Sequence, residues 1–363
     1  LLYNKDGFPM SPFRLERQEI LALAGMEDWM NGKYSWNDGW SFLKTSVGTS
    51  YAEAAARKKE FTAVNIPHDW LIYDVLNLYQ DSVGWYWKRF FWQEKEEKKA
   101  FIIFEGIYMD STVYINGTTA GEWKYGYSAF TLDITEYLRQ GENEILISAS
   151  FHNPNSRWYS GAGIYRNVWF KVTDRTWLPE NAVYISTKRM EENTFLLSLE
   201  GEIAGERRKE AVLLYRLYDE DGNEVALKAA EAVEACGKNA GKEESCGKDK
   251  ENPVESSDRK YLVGNVKLWD TENPALYTLH TELVLDGKVI QHMEERFGFR
   301  FFRFDPDKGF FLNGRHLKLH GVCEHHDLGA LGAAFHKPAM RRKFRILKEM
   351  GVNAVRGAHN MMA

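Results

Sequence analysis

Two polar clusters near the end of the chain carry the side chains best suited to chemistry. Glu324, His325, His326 and Asp327 form the first, and Arg356, His359 and Asn360 form the second. Imidazole, carboxylate and guanidinium groups on one surface suit the binding of a polar ligand. A metal site is the competing reading for the His-His-Asp cluster with His359. Its spacing matches no standard zinc signature, so no metal ligand is assigned. If a strand continues through them, His325 and His326 point to opposite sides, which leaves His326 and Asp327 to core or loop hydrogen bonding.

The elements that must position these clusters can be read from pattern. Arg315–Val322 alternates about Leu317 and Leu319, as a strand does. Pro338 then opens a helix, with Met340, Phe344, Leu347 and Met350 as one apolar stripe. Gly351 stands where a helix-ending glycine belongs, and Val352–Arg356 is a second short strand. Two strands joined through a helix are parallel, with a right-handed crossover. Ligands sit beyond the carboxyl ends of such strands, so both clusters should face one site. The basic run Arg341, Arg342, Lys343, Arg345 and Lys348 reads as a solvated outer helix face.

Upstream the pattern is mainly β. Residues 1–30 read as an irregular or partly helical extension. From Trp36 onward come many short strands, with Asn116-Gly117 as a tight-turn signal and a polar helical patch at Tyr51–Lys59. A jelly-roll β-sandwich over 31–172 is the expectation. Residues 173–297 suit an immunoglobulin-like β-sandwich, with turns at Asp221-Gly222 and Asp286-Gly287. A Lys-, Glu-, Gly- and Ser-rich insert at about 229–260 is expected to be a flexible surface loop. Residues 298–363 are the βαβ piece, entered through a hairpin turning on Asp305–Gly309. Trp85, Trp87 and Trp92 are assigned to sandwich core and interface rather than to sugar platforms, and His68 with Asp69 to fixing a turn.

Composition excludes several classes. The 363 residues carry 47 Lys+Arg against 52 Asp+Glu, a mild net charge of −5. No basic run carries interleaved aromatics, so nucleic acid is not the expected partner. There is no long apolar stretch, so no membrane span is expected. Three cysteines, at 236, 246 and 323, are too few for a disulfide framework. A cytoplasmic location is the expectation, or a secreted or periplasmic one if a leader precedes Leu1. Aromatics make up 14% of the chain, which suits both sugar-binding faces and sandwich cores.

A set of motifs in order then resembles one family. VNIPHDW at 64–70, RWYSGAGIYRNVW at 157–169, LWDTENPALYTL at 268–279, FGFR at 297–300, FFLNGRHLKLHGVCEHHDLGALG at 310–332 and GVNAVRGAHN at 351–360 are similar to those of glycoside hydrolase family 2, the β-galactosidase group. The resemblance implies a jelly roll, an immunoglobulin-like domain and the first βαβ portion of a (β/α)8 barrel. It also implies retaining hydrolysis of terminal β-linked sugars by two glutamates, with carboxyls about 5 Å apart. In the family those glutamates follow the fourth and seventh barrel strands. This chain ends after the second, so neither is present, and the fragment alone is expected to be inactive. Glu324 is not a substitute for either. Carried over by motif, His325 and His359 line the sugar subsite. Arg356 orients the nucleophile, as a guanidinium can hold a carboxylate bidentately. Arg157 and Trp158 reach towards the barrel mouth. The family often uses Mg2+ or Na+, whose main ligands are not located here, so the cofactor stays unknown. A β-galactoside or oligosaccharide is the expected partner, with self-association or complementation by the missing barrel portion. The competing readings are a non-catalytic carbohydrate-binding module, half of a split glycosidase, or β-glucuronidase or β-mannosidase specificity.

Overall fold

The computed structural model describes residues 31–93, 97–230 and 258–361. The expected extension over 1–30, most of the expected insert, Cys236, Cys246, Met362 and Ala363 lie outside the described residues. The chain divides into two compact units, residues 1–172 with 321–363 and residues 173–320. Jelly-roll and immunoglobulin-like β-sandwiches and a partial (β/α)8 barrel account for the described residues.

The first unit is a sandwich of a six-stranded and a four-stranded sheet. Its long strands Ser82–Trp92 and Gly141–Phe151 pair antiparallel over eleven residues. Their inward positions bury Tyr86, Ile145, Ile147 and Phe151, against Trp36, Ile102, Phe104 and Phe170. A fully buried large side chain of this kind contributes about 1.5–3 kcal/mol, so this core sets the unit's stability. Trp85 and Trp92 are buried, as expected of core. Trp87 is half-buried, and its indole donates to Glu144 Oε2. The outer face of the larger sheet is covered by a short helix, Tyr51–Ala56, whose Ala54 packs with Leu43, Val83, Trp85 and Leu146. Ser50 and Glu53 form a reciprocal capping box that starts it. Asn116 and Gly117 both have positive φ (50° and 89°), the backbone a two-residue hairpin turn requires.

The second unit packs two four-stranded antiparallel sheets around Phe195, Leu197, Leu199, Leu217, Val263, Leu279 and Phe299. Strand Tyr277–Leu285 alternates buried and half-buried residues along its length, the pattern of a sheet with one face on the core. Strands Lys228–Ala229 and Arg259–Gly264 pair with each other, so the structure takes Ala229, Arg259 and Lys260 into a sheet rather than into a loop. The expected hairpin is present, with Asp305 opposite Gly309. Contacts carry the second unit past 297: Trp269 N–H donates to the Phe299 carbonyl, and Asn313 Nδ2 to the Trp269 carbonyl.

The expected strand Arg315–Val322 is not continuous. Strands Arg315–His316 and Gly321–Glu324 are separate, with 317–320 outside both. The two belong to different units, which alternation alone does not disclose. Gly321–Glu324 pairs in parallel with Ala354–Gly357. Helix Lys337–Glu349 joins them, with proline in its first turn. It ends with Gly351 at φ 86°, where Gly351 N–H donates to Lys348 and Val352 N–H to Leu347. That pair of bonds is a Schellman motif, and it requires the left-handed residue that glycine supplies.

Candidate functional site

The first strand ends at Glu324 and the second at Gly357, and these two are register partners. The polar residues that follow therefore emerge side by side. His325 and His359 have ring centroids 5.7 Å apart. The Trp158 ring lies 5.4 Å from His325 and 5.3 Å from His359. Pro154, Asn155, Ser156 and Arg157 complete an open cleft of about 640 Å3 with these three rings. His325 Nδ1 is buried and has no hydrogen-bond partner among the described residues. Buried polar atoms are rarely left so.

The jelly roll holds both barrel loops in place. Trp158 Nε1–H donates to the Tyr127 hydroxyl, which fixes the indole. His326 turns away from His325, and its Nε2 lies 2.8 Å from the Ser160 carbonyl. Its ring is packed by Tyr127 and Tyr165, and burial pushes its pKa down. Phe335 N–H donates to the Tyr165 carbonyl. On the second loop, the Tyr125 hydroxyl donates to Asn360 Oδ1 at 3.2 Å. The buried Arg166 donates to the Met361 carbonyl at 2.6 Å. The segment 157–166 is thus the seat for both barrel loops.

Asp69 does more than fix a turn. Its carboxylate is 1% exposed and accepts four hydrogen bonds. Leu71 N–H and Ala162 N–H donate to Oδ1 at 3.1 and 3.0 Å. Ala333 N–H and the Tyr159 hydroxyl donate to Oδ2 at 2.8 and 2.6 Å. Burial, and then the neighbouring Asp69 charge, push the Tyr159 pKa upward, so the phenol remains a donor. One side chain ties together the segments around 70, 160 and 333. Gly161 and Gly332 give it room, since a Cβ would stand 2.9 and 2.4 Å from Oδ2. Sequence spacing offers no signal for partners 93 and 264 residues away.

Arg356 lies within the second strand rather than after it. Its guanidinium is 3.6 Å from Cys323 Sγ and 3.5 Å from His359 Nδ1, and it is exposed. It stands beside the cleft and is not among the residues lining it. Lys343 departs from the solvated face expected of it. It bonds Glu324 Oε2 and the Asp327 carbonyl, at 28% side-chain exposure. Glu324 is thereby engaged in a half-buried ion pair. Among the described residues, no carboxylate lines the cleft. The grouping of three potential metal ligands among the described residues is His280, His292 and Glu294, in the second unit.

Comparison with known proteins bears directly on this geometry. Three models of one family match in succession: the glycosyl hydrolases family 2 sugar binding domain over residues 29–174, glycosyl hydrolases family 2 over 181–300, and its TIM barrel domain over 306–361. The chain belongs to glycosyl hydrolase family 2. A β-galactosidase of Bacteroides ovatus is 34% identical over 89% of this chain and 38% of its own length. A putative β-glucuronidase of Formosa agariphila is 32% identical over 90% and 31%. Among solved structures, a β-glycosidase from Bacteroides vulgatus superposes with a TM-score of 0.77 at 28% identity, over 92% of this chain and 42% of that one. A Bacteroides uniformis β-glucuronidase gives 0.74 at 27%, over 92% and 40%. The chain thus spans about a third to two-fifths of the length of these family 2 relatives.

Proposed function

We propose that this chain is the sugar-binding and barrel-opening part of a retaining, exo-acting β-glycosidase, with terminal β-D-galactosides as its substrates. The observation that carries this reading is the cleft itself. Trp158, His325 and His359 converge at the carboxyl ends of two parallel strands, where barrel enzymes hold their substrates. An indole face packs against the apolar side of a pyranose ring, and imidazoles exchange hydrogen bonds with its hydroxyls. Arg157 lies at the rim, and Arg356, next to His359, is the group to orient a carboxylate nucleophile.

The 363 residues alone are proposed to be inactive. Retaining hydrolysis needs two carboxyls about 5 Å apart across the glycosidic bond. Among the described residues the cleft lining supplies none, and Glu324 is held by Lys343. The name of the Bacteroides ovatus relative supports the galactoside reading, whereas several other relatives are named β-glucuronidases. β-Glucuronide specificity is accordingly the second reading. The test is a chromogenic assay on the purified chain with β-galactoside, β-glucuronide and β-mannoside, beside titration calorimetry with the same sugars. Binding of the galactoside without turnover is expected. Turnover at enzyme-like rates would overturn the inactivity, and tighter binding of the glucuronide would overturn the specificity.

A further inference from the structure

The outward face of the second sandwich carries a cluster that glycoside binding does not use. His280 in strand Tyr277–Leu285 stands opposite Glu294 in strand Lys288–Phe297, and Glu282 stands opposite His292. Alternation sends Leu279, Thr281 and Leu283 into the core, so His280 and Glu282 face outward. The diagonal neighbours His280 and His292 then meet on one surface. His292 Nε2 lies 3.2 Å from His280 Nδ1, and His280 Nε2 lies 3.5 Å from Glu294 Oε1. One ligand atom taken from each of the three residues gives a trio lying within 4.8 Å of one another. The Tyr218 ring packs 4.5 Å from His280 and limits its rotation. Arg216, the register partner of His280 on the other side, is paired with Glu282 at 3.1 Å. Its charge is therefore offset locally.

We propose that His280, His292 and Glu294 bind one divalent ion of the nitrogen-preferring kind, Zn2+, Cu2+ or Ni2+. Two nitrogens on a tetrahedral ion, each about 2.0–2.1 Å from it, stand roughly 3.3 Å apart. With His280 bound through Nδ1, the 3.2 Å imidazole separation already matches that edge, and the exposed Glu294 side chain, whose Oε1 lies 3.5 Å from the other nitrogen of that ring, has to turn to complete the set. Two imidazoles with one carboxylate select these metals, whereas Ca2+ and Mg2+ take oxygen ligands. Both histidines rise from paired strands, so little order has to be gained on binding. Three protein ligands at a partly exposed site leave the remaining positions to water.

The test is titration of the tag-free chain with Zn2+ by calorimetry in a non-chelating buffer near neutral pH, with Ca2+ in parallel. Wild type should bind one Zn2+ per chain and give no Ca2+ heat. His292→Ala should weaken that event by tenfold or more, the scale of losing a metal-supporting group, and Glu294→Gln should weaken it by a smaller factor. His292 and Glu294 are exposed, so both variants should melt like wild type in the presence of a chelator. Zn2+ should then raise the melting temperature of wild type and not of His292→Ala. Identical Zn2+ isotherms for wild type and His292→Ala, or no Zn2+ heat in wild type at millimolar concentration, would overturn the assignment.

Discussion

Replacing Asp69 by asparagine tests how the cleft is held together. The carboxylate accepts from Leu71 N–H, Ala162 N–H, Ala333 N–H and the Tyr159 hydroxyl in a site 1% exposed. Asparagine keeps one oxygen, enough for two of these donors. Its amide nitrogen must face the other pair. The cheaper orientation turns it towards Oδ2's partners, because the Tyr159 hydroxyl can rotate and accept. The Ala333 N–H cannot. One buried N–H left unsatisfied costs about 1–3 kcal/mol, and the surviving bonds lose their charge assistance. Burying a neutral group in place of a charge returns part of this, so the expected loss is about 2 kcal/mol for the first unit. Denaturant unfolding of Asp69→Asn measures the loss. Hydrogen exchange locates it: a loss of about 2 kcal/mol corresponds to roughly thirtyfold faster exchange at the Ala333 amide. A variant within about 0.5 kcal/mol of wild type, the range of an inconsequential surface change, with Ala333 protection unaltered, would refute the reasoning.

Three further predictions use neighbouring groups. Burial lowers the His68 pKa from 6.5 to about 4, and its Nδ1 lies 2.8 Å from the Tyr86 hydroxyl. The folded state thus favours the neutral ring. That contribution is complete above pH 6.5, is lost as pH falls through about 4, and amounts to about 3 kcal/mol. His68→Phe should flatten this acid limb in melts across that window, and an unchanged limb would contradict the assignment. Gly332→Ala places a Cβ 2.4 Å from Asp69 Oδ2 at φ 60°, ψ −139°. Backbone strain alone should cost about 1–3 kcal/mol, read from the unfolding midpoint. Lys343→Met leaves Glu324, at 14% side-chain exposure, without its cation. A loss of about 1–3 kcal/mol should follow, recovered by the double change with Glu324→Gln, and a non-additive double-mutant cycle measures it.

The local features were legible because their causes are local. Asn116-Gly117, Asp305–Gly309, the helical patch beginning at Tyr51 and the Pro338-to-Gly351 helix each follow from residues within a few positions. The meeting of His325 with His359 was legible for a different reason: parallel strands joined by a helix send their carboxyl ends the same way. The full role of Asp69 is not legible, because three of its four partners come from segments far along the chain. The pairing of Lys343 is not legible, because a helical basic run gives no indication of which member lies over a neighbouring carboxylate. Leu317 and Leu319 alternate as a strand would, yet the chain passes from one unit to the other directly after them. The tertiary division, which has no period, overrode the pattern.

The central claim is that the cleft bounded by Trp158, His325 and His359 is where a sugar binds. NMR of the chain titrated with methyl β-galactoside measures this directly at the three rings. The Trp158 indole and both imidazole signals should shift along one binding curve, and Trp158→Ala should weaken that curve while the fold persists. Shifts confined to residues outside the cleft, or a curve indifferent to Trp158→Ala, would contradict the account.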